Sequence, residues 1–187
     1  MLIIINIIIL IHSTKKKLQK LFKKFSYGLF KLIYGSINGY QDINKTPESK
    51  VIISEINKDF RYKIYIVKKA RLYTDTINDT AVIHSQKVIK EPSFQIRNTI
   101  FSTVEKNIVF EKGTPRFQKK LNGRVVSLLS GGAGNYNYWH WLFDILPRIK
   151  IVANKLNLDE IDYFLLPDNT SRFQKETLSL LNIPENK

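Results

Sequence analysis

The sequence contains no cysteine and only three histidines among its 187 residues. Without cysteine the chain forms neither a disulfide nor a thiolate-ligated zinc site, which favours a reducing compartment. His12, His84 and His140 do not pair with one another at the spacing of metal ligands. A metal site built on histidine is therefore not expected. We also expect no other cofactor.

The chain also lacks a hydrophobic run long enough to cross a bilayer. Its apolar stretch LIIINIIILI, at residues 2–11, is far shorter than the roughly 20 residues of a transmembrane helix. A secretory signal is not indicated, because lysines follow the run in place of a small-residue cleavage site. The isoleucines favour an extended β segment, whereas continuation into the next segment predicts a longer membrane-associating helix.

Acidic residues are scarce relative to basic ones. Lysine and arginine total 30 against 16 aspartates and glutamates, so the formal net charge is +14. Such an excess indicates an anionic partner, which is a membrane surface, a nucleic acid or a phosphorylated substrate. Half of the net charge comes from a stretch without any acidic residue, namely Lys15, Lys16, Lys17, Lys20, Lys23, Lys24 and Lys31.

Residues 15–34, KKKLQKLFKKFSYGLFKLIY, predict a basic amphipathic helix, because apolar residues recur at helical spacing with lysines between them. Such a helix suits an anionic membrane surface, where each lysine adds about 1 kcal/mol of attraction. The pattern equally suits a helix that packs on the body of the protein and leaves its lysine-rich face in solvent. Residues 35–50 are polar and contain glycine, asparagine and proline, so we interpret residues 1–50 as a basic amphipathic and linker segment.

Residues 51–187 predict one α/β domain that begins with a strand-rich region. Short β-like runs separated by turn signals lie at 51–53, 62–67, 81–83, 87–89, 99–102, 107–110 and 124–129. Residues 148–156 then predict a helix, 162–166 a buried strand, and a helix capped by Asn169 or Thr170 follows. Helix, strand and helix in succession are typical of an open α/β sheet. The next parallel strand is expected beyond residue 187.

The most specific segment is residues 131–148, GGAGNYNYWHWLFDILPR. A helix from about Tyr136 places His140, Asp144 and Arg148 four residues apart on one stripe. Unpaired buried charges cost several kcal/mol, so this stripe must face a partner, a ligand or a cleft. His140 and Asp144 form either a buried pair that fixes helix packing or a proton-handling pair. Pro147 predicts a broken or kinked helix near Phe143.

Two further features of this segment have alternative interpretations. The glycines resemble a phosphate-cradling turn, but they match neither GxGxxG nor the P-loop and equally permit a tight strand-to-helix turn. The aromatic residues predict a packed core, although one or two of them could stack on a sugar ring. The guanidinium of Arg148 suits a phosphate or a carboxylate.

The segments GNYNYWHWLFDILPRIKIV and DYFLLPDNTSRFQKETLSLLNI resemble glycosyltransferase family 61, including its bacterial members of capsular polysaccharide biosynthesis. The signature of that family is an asparagine with aromatics, then HWL, an acidic residue and LPR. The resemblance covers about residues 60–187. The residues that match the signature are Asn135, Tyr136, His140, Trp141, Leu142, Asp144, Leu146, Pro147 and Arg148.

The resemblance implies a metal-independent, inverting enzyme that transfers a sugar from a nucleotide-sugar donor to a glycan acceptor. It implies a GT-B architecture in which residues 51–187 form the Rossmann-like, acceptor-side half. The donor half is then expected beyond residue 187, and this chain alone is expected to be inactive. His140 and Asp144 become catalytic residues, and the implied substrate-binding residues are Asn135, Tyr136, Trp141 and Arg148.

We expect such an enzyme to be cytoplasmic and to contact the anionic inner face of the membrane through Lys15 to Lys31. A nucleic-acid partner is not expected from this interpretation. The alternative is a non-enzymatic basic module that binds an anionic membrane or a nucleic acid through charge alone.

Overall fold

The computed structural model describes residues 2–55, 58, 60–74, 79–97, 100–129, 137–166 and 170–185. Within these ranges the protein is mixed α/β, with a long N-terminal helix, three sheets and a C-terminal α/β unit. The predicted α/β class is confirmed at this level.

Helix α1 spans Leu2–Tyr34, and its 33 residues correspond to a length of about 50 Å. The extended alternative for residues 2–11 is therefore wrong. No glycine or proline interrupts residues 2–27, and a helix pairs its own backbone groups where a strand would need a neighbour. Gly35, at φ +80°, follows the helix in the left-handed conformation common after helix ends. Among the described helices, none is both long enough and apolar enough to span a membrane.

The largest sheet has the order β1-β6-β5-β7-β8, with β4 paired to β5. Its strands are β1 (Tyr40–Gln41), β4 (Arg71–Thr74), β5 (Asp79–His84), β6 (Lys87–Ile89), β7 (Phe94–Arg97) and β8 (Ile100–Phe101). Strands β1 and β6 are parallel, and the other pairs are antiparallel. Residues 35–50 differ from the expected linker, because β1 belongs to this sheet and Ile43 is buried.

Strands β2 (Ser49–Glu55) and β3 (Arg61–Val67) form a separate antiparallel hairpin. The predicted strand at residues 107–110 is wrong, because α2 occupies Val109–Lys112 after a 3₁₀ turn at Val104–Lys106. The Asp79 carboxylate accepts a hydrogen bond from the amide of Ile108 at 2.6 Å, and the side-chain oxygen of Asn107 accepts one from Val109. These backbone amides therefore donate to side chains, whereas in a strand they would donate to the carbonyls of a neighbouring strand.

The C-terminal α/β unit begins with β9 (Val125–Ser127), which runs parallel to β10 (Tyr163–Leu165). A helical segment at residues 138–153 connects them, so the three elements form a parallel βαβ unit. Helix α5 (Arg172–Leu180) follows. The predicted order of helix, strand and helix is confirmed, but the N-cap of α5 is Ser171 rather than Thr170, and Asn169 lies outside the described residues.

The core of this unit lies between the parallel strands, the connecting helix and α5. Its buried residues are Leu128, Trp141, Ile145, Ile149, Ile161, Phe164, Leu178 and Ile183. The hydroxyl of Ser54 in β2 donates to the carbonyl of Ile151 at 2.9 Å, so the β2–β3 hairpin is attached to the connecting helix.

Candidate functional site

The connecting helix contains a widened turn at the centre of the specific segment. It consists of α3 (Tyr138–His140), a π-helical turn at Trp141–Ile145 and α4 (Leu146–Ala153). In the π turn the amide of Leu146 donates to the carbonyl of Trp141, five residues earlier. Pro147 explains this change, because it has no N–H and its ring would clash with the carbonyl of Phe143 in a regular α-helix. The predicted irregularity near Phe143 is thus present as a π turn.

Asn137 fixes the start of this helix. Its side-chain oxygen accepts hydrogen bonds from the amides of Trp139 at 3.0 Å and His140 at 3.4 Å. These are two of the backbone donors that have no partner within the first helical turn. The cap therefore holds His140 in the first turn of the connecting helix.

His140 and Asp144 form a hydrogen-bonded pair on the surface of this helix. The imidazole Nδ1 lies 2.6 Å from the Asp144 Oδ2, and the two side chains are 44% and 48% exposed. The pair is therefore not the buried packing pair that the sequence left open. Because a carboxylate only accepts hydrogen bonds, Nδ1 is the donor. The other ring nitrogen, Nε2, has no hydrogen-bond partner among the described residues.

Arg148 lies beside this pair but bonds to main-chain carbonyls. Its Nε donates to the carbonyl of Asp144 at 2.9 Å, and its Nη1 lies 3.4 Å from the carbonyl of Leu129. Burial lowers the pKa of the Arg148 guanidinium, and the nearby Asp144 charge opposes that shift only in part. The guanidinium is thus held, half-buried, just after the carboxyl end of β9.

Trp141 occupies a different position from the one expected of a substrate-binding residue. Its side chain is 1% exposed and belongs to the core of the α/β unit. The indole Nε1 donates to the hydroxyl of Thr177 in α5 at 2.8 Å, and the ring makes an edge contact with Phe173. In this arrangement the Trp141 ring joins two helices and has no face available to a sugar.

The exposed aromatic surface next to the pair comes from Trp139 and Phe143 instead. Their ring centroids are 4.4 Å apart, and the side chains are 67% and 57% exposed. Sequence reasoning did not single out these two residues. Their four-residue spacing, which runs beside that of His140 and Asp144, is the signal that could have identified them.

The remaining predicted features are only partly placed. Asn135, Tyr136 and the glycines of residues 131–134 lie outside the described residues. In the part of the chain that is described, no three histidine, aspartate or glutamate side chains gather as a metal site would require.

Comparisons of the chain with protein-family models, with curated proteins and with solved structures find no match. The resemblance to glycosyltransferase family 61, and the activity that it implies, therefore stay predictions. Any proposal about function must therefore be argued from the geometry of the site.

Proposed function

We propose that this chain carries the acceptor-side half of an inverting glycosyltransferase, in which His140 is the general base. The observation that carries the proposal is the exposed imidazole whose Nδ1 is bonded to Asp144. In this arrangement the carboxylate orients the imidazole ring through Nδ1 and leaves Nε2 able to accept a proton from a substrate.

The proposed reaction takes place at the outward-facing nitrogen. Nε2 removes the proton from an acceptor hydroxyl as that oxygen attacks the anomeric carbon of the donor sugar. The bond from the anomeric carbon to the nucleotide diphosphate breaks, and the diphosphate leaves with the electron pair. Asp144 keeps the hydrogen on Nδ1 and stabilises the imidazolium that forms, as carboxylates do in other histidine-based sites.

The position of the pair within the βαβ unit supports a ligand site. His140 lies in the first turn of the helix that connects β9 to β10, and ligands of open α/β sheets bind outside the carboxyl ends of the strands. Arg148 lies at the same edge through its contact with Leu129. We propose that its guanidinium faces the phosphates of the donor, and that the unit is part of a Rossmann-like half of a GT-B enzyme.

The exposed aromatic pair supplies a surface for the acceptor. Trp139 and Phe143 immediately precede the two ionisable residues in sequence, and they lie beside them on the helix. Aromatic faces are the usual contact surface for sugar rings, so we assign the acceptor glycan to these two residues in place of Trp141. The π turn that carries Phe143 and Asp144 is a type of irregularity frequent at functional sites.

The proposal is tested by sugar transfer in the protein translated from the complete reading frame, however far that frame extends. A panel of nucleotide sugars is supplied with oligosaccharide acceptors, and release of the nucleotide is measured. His140→Ala should lower transfer by about 10²–10⁴-fold, the usual effect of losing a general base. Asp144→Asn should also lower it, because the amide no longer fixes the ring.

The chain offers a matched control for the Asp144 variant. Arg172 and Glu176 in α5 form another exposed pair four residues apart, also at 2.6 Å. Glu176→Gln should leave transfer unchanged, and exposed pairs of this kind contribute at most about 1 kcal/mol to folding. Unchanged transfer in both the His140 and the Asp144 variants, with the fold intact by circular dichroism, would remove the pair from the site and refute the proposal.

A further inference from the structure

Helix α1 is attached to the rest of the protein near its C-terminal end. The Phe30 ring makes an edge contact with Phe117 at 5.3 Å, and Lys31 Nζ donates to the carbonyl of Glu111 at 2.6 Å. The Tyr34 carbonyl accepts a hydrogen bond from Arg71 at 3.2 Å. At about 100° per residue, these three helix residues lie on one side of α1.

An apolar stripe runs along the opposite side of the same helix. Its seven side chains are between 45% and 86% exposed and fall within about 120° of the helical circumference. We call this set the apolar stripe. It consists of Leu18, Leu21, Phe22, Phe25, Leu29, Leu32 and Ile33. Because the contacts with the body lie on the other side, the stripe faces away from the protein.

Lysines occupy much of the remaining surface of α1. All of those at residues 15–24 are exposed, and none of them forms an ion pair within the described part of the chain. The first acidic residue of the sequence is Asp42, which lies beyond the helix. The helix therefore combines a continuous apolar surface with an uncompensated positive charge.

These features discriminate between the surfaces that could cover the stripe. A second copy of the helix would bring together two positively charged segments without an acidic residue on either one. A nucleic acid would neutralise the lysines but leave seven large apolar side chains in water. A bilayer that contains anionic lipids satisfies both, because the stripe enters the acyl boundary while the lysine ammonium groups stay at the headgroups.

We propose that α1 lies in the plane of an anionic lipid surface with its apolar stripe inserted. The body of the protein, attached to the other side through Phe30, Lys31 and Tyr34, then remains on the water side of the helix. This proposal does not depend on the glycosyltransferase activity.

The test is binding of the whole chain to sedimenting vesicles of phosphatidylcholine, with and without phosphatidylglycerol. We expect stronger binding to the vesicles that contain phosphatidylglycerol. Replacing Leu21 and Phe25 together by glutamine should lower the affinity at least about tenfold, because each buries a large side chain in the membrane. Replacing Lys16, Lys20 and Lys23 by glutamine should lower it about fivefold per lysine, and only with the anionic lipid.

Matched controls exist elsewhere on the surface. Leu180→Gln removes an exposed leucine of α5, and glutamine at Lys119, Lys120 and Lys155 removes three exposed charges outside α1. Both controls should bind vesicles like the unmodified chain. Circular dichroism should show equal helix content in every variant, because the stripe is exposed and glutamine is nearly as good a helix former as leucine.

Three outcomes overturn the proposal. Vesicle binding that is insensitive to the stripe variant would reduce the interaction to charge alone. Absence of vesicle binding, with DNA or RNA binding that survives the stripe variant, would assign the lysines to a nucleic acid. A dimer in analytical ultracentrifugation that the stripe variant dissociates, again without vesicle binding, would identify a second copy as the occupant.

Discussion

The contrast between the two tryptophans gives a direct test of how the connecting helix is oriented. Trp141 is buried and bonded to Thr177, whereas Trp139 is mostly exposed. Trp141→Phe removes a hydrogen bond worth about 1 kcal/mol and also some two methylene equivalents of buried apolar surface at about 0.8 kcal/mol each. We therefore expect a loss of about 2–3 kcal/mol in the free energy of unfolding. Trp139→Phe should change it by less than about 0.5 kcal/mol.

The assay uses the tryptophans themselves, since the chain has only two. Each variant keeps one tryptophan, so urea unfolding can be followed by the fluorescence of the tryptophan that remains. The indole that remains in Trp139→Phe should resist quenching by acrylamide in the folded protein, and the one in Trp141→Phe should be quenched readily. For a chain of this length the expected loss lowers Tm by about 4–12 °C.

The opposite pattern would refute this orientation. If Trp141→Phe left the stability unchanged but weakened the binding of oligosaccharides, the ring would face solvent and the resemblance-based role of Trp141 would hold. If both variants were equally destabilised, the aromatic surface proposed for the acceptor would instead be part of the core.

Two further predictions concern the part of the protein that precedes the C-terminal α/β unit. Asp79→Ala should lower the free energy of unfolding by about 1–3 kcal/mol, measured by urea denaturation, because the buried carboxylate accepts a hydrogen bond from the amide before α2; an unchanged midpoint would exclude this anchoring role. The hydrogen bond and charge of Lys90 lower the pKa of Asp42, so this pair stabilises the fold at neutral pH and its contribution is lost as the pH falls through the lowered pKa. Asp42→Asn should therefore flatten the acid limb of the stability curve, and an identical limb would contradict the pairing.

Local signals were sufficient for those elements whose structure depends on nearby residues. Short β-like runs bounded by turn signals located both strands of the β2–β3 hairpin, and the succession of helix, strand and helix located the C-terminal unit. Pro147 predicted the irregular helix, because its missing N–H acts within one turn. Strand β1 could not be found in this way, since two residues give no periodicity and their partner β6 lies more than 40 residues away.

The orientation of the connecting helix was harder to predict, because aromatic residues surround His140 on both sides in sequence. The specific segment alone does not show which of them are buried. Residues beyond it do, since Trp141, Ile145 and Ile149 repeat at four-residue intervals and are all buried in the structure. When the segment is read together with Ile149, this repeat predicts that Trp141 lies in the core and that Trp139 is exposed. The actual contact with Thr177 depends on α5 and has no signature in the sequence.

The π turn at Trp141–Ile145 also sets the direction in which the first turn of the helix points. One additional residue within a turn rotates everything before it by about 100° relative to everything after it. Ile149 and other residues of α4 remain in the core, while the imidazole of His140 is directed by that rotation. A change of one residue in the length of this turn is therefore enough to aim the same ionisable pair at a different part of the surface, without altering the composition of either helical face.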